Sequence, residues 1–333
     1  MAGIKEIALR AGVSTSAVSK ALNGYTDIGE STREHILKIA GELNYSPNIM
    51  ARSLASQKPK TLGLIFSDIK ETDSNGNIIY RLFLSSTRYC QNNGYEMLVS
   101  HTDPESQKKK PLKTLCAERM LGGAVLYGFK LTDPYISQLR KLNMPFVLID
   151  VFLPEPNTVT VTINNEAAIF EMLSYVVSRG KHSKVVFVNG LADTDIAKIR
   201  LQAYVKARDG LGLASDFIQC NADFLEDKAY AQTRRLLKEH DDISCFFCAS
   251  DLMAIGVMRA LHESGKKIPE DIAVTGFDGI QIIEYLTPPL TTIMQDFKKI
   301  GQLASQTLID MLNQKHSGKI VFAPYNMHKG QSV

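Results

Sequence analysis

Ile4-Lys-Glu-Ile-Ala-Leu-Arg-Ala-Gly-Val-Ser-Thr-Ser-Ala-Val-Ser-Lys-Ala-Leu-Asn23 opens the chain with two short helices joined by a tight turn. Ile4, Ile7, Ala8 and Ala11 fall on one face of a helix of roughly 3.6 residues per turn. Gly12 permits the turn and Val13 plugs its corner. Ser14 is placed to cap the second helix by accepting a backbone N–H bond. That helix buries Val18 and Leu22 and turns Thr15, Ser16, Ser19 and Lys20 outward. Short polar side chains at the start of such a helix reach base edges in a major groove without clashing. Any short helical hairpin shares this pattern, so the rest of the chain must decide.

The continuation is more specific. Ser31-Thr-Arg-Glu34 has the spacing of a capping box, and Ile36, Ile39, Ala40 and Leu43 supply the apolar stripe of a third helix. Asn44-Tyr-Ser-Pro-Asn-Ile-Met-Ala-Arg-Ser-Leu-Ala-Ser56 follows, with Pro47 suited to the first turn of a short helix. Residues 1–60 hold eight Lys/Arg against five Asp/Glu, so the whole net charge of +3 resides there. A basic surplus on the helical end suits phosphate contact, although a solvated face explains it equally well.

From Ile7-Ala-Leu-Arg-Ala-Gly-Val-Ser14 to Leu43-Asn-Tyr-Ser-Pro-Asn48 and Ala51-Arg-Ser-Leu54, the chain resembles the lactose/galactose-repressor family of bacterial regulators. The resemblance implies a headpiece over 1–46 and a hinge helix with linker over 47–60. It implies DNA contacts by Thr15, Ser16, Ser19 and Lys20 in major grooves, and by Asn48, Ala51, Arg52 and Leu54 in the central minor groove. Leu54 would wedge between base pairs there.

From Thr61 the texture changes. Apolar runs such as 62–66, 97–100, 123–127 and 146–150, then 160–163, 185–188, 217–219, 245–248 and 272–275, alternate with amphipathic helical segments. Near-continuous apolar strands between helices indicate parallel sheets covered on both faces. Two such series give the expected fold class: an all-α headpiece plus an α/β core of two doubly wound lobes. Family resemblance makes that core periplasmic-binding-protein-like over 61–333, with three crossings. Lobe 1 is then about 61–160 with 292–321, and lobe 2 about 161–291 with 322–333.

Candidate ligand residues sit at strand ends. Ala249-Ser-Asp-Leu-Met-Ala-Ile-Gly256 joins a strand to a helix, and Asp251 there either caps the helix or accepts ligand hydrogen bonds. The family commonly has Asn-Asp at this junction. Ser250 departs from that pattern, which leaves Asp251. Asp278, in Val274-Thr-Gly-Phe-Asp-Gly279, ends the next strand; it is either a turn residue or, as the resemblance implies, an effector ligand. By the same resemblance Arg200 clamps the effector, Asp150 belongs to the cleft, and Tyr80 stacks on the ligand. A planar five-donor guanidinium suits vicinal hydroxyls or a carboxylate.

Composition limits the alternatives. At 44% hydrophobic and 22% charged residues the chain reads as globular, without a signal-peptide layout or a bilayer-length apolar run, and a cytoplasmic location is expected. The five cysteines are scattered and odd in number, so neither a disulfide framework nor a zinc site is expected. No P-loop, GxGxxG or nucleophile elbow follows any strand, and no cofactor, metal or catalytic residue is expected. The reading is a homodimeric repressor controlled by a small metabolite, most consistent with a sugar, with operator DNA as partner and no membrane. Two rivals stay open: a global catabolite regulator taking a phosphorylated carrier protein, to which Arg81 and Arg88 are candidates, and a sugar-binding protein or enzyme on the same scaffold.

Overall fold

The computed structural model describes residues 3–22, 27–43, 45, 59–67, 76–180, 184–213, 217–315 and 318–333. The chain divides into two compact units, 1–59 and 60–333.

In the first unit, α1 (Ile4–Ala11), α2 (Thr15–Leu22) and α3 (Glu30–Glu42) close on a core of Ile7, Ala8, Val18, Ala21, Ile36, Ile39 and Ala40. Gly12 takes φ +66°, which ends α1. Ser14 Oγ then accepts the Ala17 N–H at 3.1 Å, capping α2 as its position suggests. The Ser31–Glu34 capping box does not form. Helix α3 begins at Glu30 behind Gly29, with no side-chain cap, so Ser31 already lies inside the first turn.

The second unit holds two six-stranded sheets. Its elements run β1 (Thr61–Ser67), α4 (Gly76–Asn92), β2 (Glu96–Thr102), α5 (Pro104–Lys109), α6 (Leu112–Glu118), β3 (Leu121–Tyr127), β4 (Phe146–Ile149), β5 (Thr158–Ile163) and α7 (Asn165–Ser178). There follow β6 (Val185–Asn189), α8 (Asp195–Gly210), β7 (Ile218–Asn221), α9 (Glu226–Glu239), β8 (Cys245–Cys248), α10 (Asp251–Glu263) and β9 (Ala273–Asp278). The chain closes with β10 (Thr291–Gln295), α11 (Phe297–Leu312), β11 (Ile320–Ala323) and β12 (Tyr325–His328). The first sheet has the order β11-β5-β4-β3-β1-β2 and the second β12-β10-β9-β8-β6-β7. Every pairing is parallel except β10 with β12.

Strands buried on both faces explain the continuous apolar runs. Phe246 and Phe247 are adjacent and point to opposite faces, yet both are fully buried. Helices α4 and α11 pair over the first sheet; α7 with α8, and α9 with α10, cover the second. The chain passes between sheets after Ile163, after Gln295 and after Ala323. Residues 161–163 and 322–323, assigned to lobe 2 from sequence, therefore complete β5 and β11 of the first sheet, and 292–295, assigned to lobe 1, belong to β10 of the second. Strands continue until their pairing partner ends, which local composition does not reveal. No helix among the described residues is long and apolar enough to cross a membrane. All five cysteines are free and buried, and burial pushes the Cys116 and Cys220 thiols up to about 11.

Candidate functional site

On the headpiece, Thr15 and Ser16 are exposed at the start of α2, while Ser19 and Lys20 are half-buried one turn later. Lys20 Nζ donates to Asp27 Oδ2 at 2.5 Å, and this bond holds the Asp27 carboxyl below its usual range. Asn48, Ala51, Arg52 and Leu54 lie outside the described residues.

In the second unit, both sheets reverse their order beside the strand that opens each lobe, and the carboxyl ends of their strands face one cavity of about 430 Å³. Ligands of open α/β sheets bind at such reversals, and this volume suits a small molecule. The first lobe contributes Ser67 from the end of β1, Tyr127 from β3, Asp150 after β4, and Ile78 and Ile79 from α4. The second contributes Arg200 from α8, Ser250 after β8, Asp278 from β9 and Gln295 from β10, with Phe224 beyond β7.

Asp150 takes φ +59° and Asp278 takes φ +112°, and Asp223 and Phe224 in the same wall are also left-handed. Non-glycine residues rarely adopt this region, and such strain collects at sites the surrounding structure over-determines. Here the determinants are visible. Thr160 Oγ1 donates to the Val151 carbonyl at 2.7 Å and Thr162 Oγ1 to Asp150 Oδ1 at 2.6 Å, so alternate threonines of β5 pin the turn that presents Asp150.

Arg200 is 3% exposed. Its Nε donates to Asn165 Oδ1 at 3.1 Å and its Nη1 to the Ala249 carbonyl at 2.7 Å; Nη1 also lies 3.5 Å from Asp278 Oδ1. The guanidinium rests 3.8 Å from the Phe277 ring centroid, which fixes its plane. Gln295 Nε2 donates to Asp278 Oδ1 at 2.8 Å. Burial pushes the Asp278 carboxyl up to about 6 even though Arg200 opposes it, and burial likewise raises Asp150. Polar contacts cross the rim between lobes: Phe152 N donates to Asp195 Oδ2 at 3.0 Å, and Lys130 Nζ stands 3.8 Å from Asp193 Oδ2.

Of the five ligand residues expected from sequence, three converge: Asp150, Arg200 and Asp278. Asp251 does not reach the cavity wall. It is fully buried, accepting from Gly279 N at 2.6 Å, Ile280 N at 2.9 Å and Thr292 Oγ1 at 2.5 Å. It therefore anchors the turn that follows Asp278. Ser250 takes both functions of that junction, lining the cavity and accepting from Met253 N at 3.3 Å to cap α10. Tyr80 is 60% exposed and outside the lining, because its neighbours Ile78 and Ile79 occupy the inward face of α4. Sequence reasoning missed Gln295 and Phe224. Gln295 ends a strand that Thr291 and Thr292 leave without an apolar signature, and nothing local marks Phe224 as a wall residue.

Comparison with known proteins agrees with both units. The family model for bacterial regulatory proteins of the lacI family matches residues 3–48, and that for the periplasmic binding protein-like domain matches 173–333. The HTH-type transcriptional repressor PurR of Vibrio atlanticus is 31% identical over 325 residues, 97% of this chain and 95% of that protein. The HTH-type transcriptional repressor CytR of Escherichia coli is 31% identical over 320 residues, 95% of this chain and 92% of that protein. Among solved structures, the Lac repressor dimer bound to operator and the anti-inducer ONPF shares the fold with a TM-score of 0.84, at 24% identity over 99% of this chain and 98% of that one. With a helix-turn-helix headpiece, two parallel-sheet lobes and full-length repressor relatives, the chain belongs to the lacI family of bacterial regulatory proteins, as a transcriptional regulator and not an enzyme.

Proposed function

We propose that this regulator is a homodimeric, cytoplasmic repressor that reads an operator with residues 1–46, couples through 47–60, and binds a small polar metabolite, a sugar or sugar derivative, within 61–333. The convergence of Asp150 from one lobe with Arg200 and Asp278 from the other carries the effector reading. Carboxylates and a guanidinium in one cavity match the hydroxyl pattern of a sugar ring. Thr15 and Ser16 contact base edges, and Ser19 supports them from the next turn. Lys20 meets phosphate by exchanging its Asp27 partner. Asn48, Ala51 and Arg52 follow the minor groove and Leu54 wedges open its central step, favouring flexible pyrimidine–purine sequences. Dimerisation fits the apolar pair Leu98 and Val99, 40% and 42% exposed on the edge strand β2.

The test is operator selection from random duplexes, followed by binding of the full-length protein and its variants. Lys20→Ala and Arg52→Ala should weaken all sequences and flatten the salt dependence, whereas Thr15→Ala and Ser16→Ala should shift base preference. Leu54→Ala should reduce operator bending and lower specific far more than non-specific affinity. Unaltered binding and bending by all five variants would remove the DNA-contact assignment.

A further inference from the structure

Positive charge is unevenly placed at the DNA-binding end. Residues 1–46 hold five Lys/Arg (5, 10, 20, 33 and 38) and five Asp/Glu (6, 27, 30, 34 and 42). The headpiece is therefore electrically neutral, and the surplus of three lies in 47–60. Phosphate charge supplies essentially all of a protein's sequence-independent affinity for DNA, and a neutral headpiece forgoes much of it. On α2 the neutrality is local. Lys20 is the one charged residue of that helix, and its Nζ donates to Asp27 Oδ2 at 2.5 Å. Asp27 stands between α2 and α3, and Gly29 occupies the N-cap position of α3, so this carboxylate is not a helix cap. On α1, Arg10 likewise faces Glu6 at 3.8 Å.

The strength of the Lys20–Asp27 pair decides what it can do. Its side chains are 45% and 54% exposed, so a phosphate can reach the ammonium and water screens the bond. Such exposed pairs shift an equilibrium by roughly one-and-a-half- to fivefold. A carboxylate and a phosphate compete for the same ammonium donors. A phosphate met in passing, with water and salt between, gains too little to displace a contact already made. A phosphate set against Lys20 by a docked α2 gains more, because contacts to the bases hold the helix in place. The exchange is also nearly neutral in counterions. DNA releases a cation to receive Lys20, and the freed Asp27 carboxylate attracts one in return.

We propose that Asp27 is a specificity-determining residue, which occupies Lys20 against DNA phosphates at large and yields it only when the headpiece is docked on its operator. This rests on the reading of Lys20 as a phosphate contact. The test is binding of full-length protein to a random-sequence duplex, and to the operator recovered by selection, across a series of potassium chloride concentrations. Asp27→Asn should bind the random duplex about two- to fivefold more tightly at low salt, with a salt slope steeper by about one. Its gain on the operator should be smaller, so the ratio of operator to random affinity falls. Glu42→Gln, at the end of α3, makes the same change in net charge without freeing Lys20 and should reproduce neither effect. Thermal unfolding reports whether each variant folds, and Asp27→Ser gives a second removal of the carboxylate. Unchanged affinity and slope on the random duplex, an equal gain from Glu42→Gln, or a gain on the operator as large as on the random duplex would each overturn the proposal. Failure of the phosphate-contact reading is a separate result: Lys20→Ala binding the operator as tightly as the parent.

Discussion

Asp278 opens a short turn whose Gly279 and Ile280 N–H groups donate to Asp251, and burial disfavours the charged form of both carboxyls. Burial and the nearby charge of Asp278 push the Asp251 carboxyl up to about 8; burial pushes Asp278 up to about 6. An unfolded aspartate titrates near 4. Between about pH 4 and each raised value the folded protein holds protons that the unfolded chain has released, so stability declines as pH rises through that window and levels off above it. The second unit should therefore unfold at a higher temperature at pH 5.5 than at pH 8.5. Asp251→Asn or Asp278→Asn should reduce the difference, which a calorimetric pH series would measure. A parent profile independent of pH would remove this account. On the proposed cleft reading, in which Asp278 accepts a hydrogen bond from the effector, effector affinity should move the opposite way, strengthening as pH rises past about 6.

At the scale of elements, what was legible followed from local rules, and what was not followed from tertiary ones. Ser14 capped α2 because its position relative to Thr15 leaves little choice; Ser31 did not, because the chain entered α3 a residue earlier at Glu30. Strands buried on both faces announced themselves, but β10, β11 and β12 did not. Ile320 and Phe322 in β11 are 45% and 58% exposed, and β10 carries Thr291 and Thr292 into the interior, so neither has an apolar signature. The residues expected in the cleft divide the same way. Asp150, Arg200 and Asp278, strand ends and an early helix position matching a family pattern, line the cavity. Tyr80 and Asp251 do not line it, because facing is decided by what an element packs on. Gln295 became visible only when its strand was laid beside β9. Ser14→Ala should lower the protection of α2 amides in hydrogen exchange by about 1 kcal/mol, the usual worth of an N-cap. Unchanged protection would mean the cap bond contributes nothing.

At the scale of the molecule, two units with separate cores must communicate for a regulator to respond. On the proposed cleft reading, Arg200 is a residue at which that communication can be cut without touching the proposed DNA contacts. Arg200→Ala should lose roughly ten- to a hundredfold in effector affinity. Operator binding measured with and without ligand should then coincide at concentrations that release the parent protein. Because coupling is reciprocal, operator DNA should change the parent's effector affinity by the same factor that effector changes its operator affinity. A variant that still responds at parental concentrations would place the coupling elsewhere.

The three passages between the sheets have a mechanical meaning. Each is a single link: Asn164 between β5 and α7, Asp296 between β10 and α11, Pro324 between β11 and β12. Two of them are bolted to the cavity. Asn165, one residue past the first link, holds Arg200 and donates to Thr162 Oγ1 at 3.3 Å, which in turn holds Asp150. Gln295, one residue before the second, holds Asp278. On the proposed cleft reading, a ligand seated among these side chains would grip the lobes at their fulcrum, and a small shift there would return enlarged at the lobes' far ends.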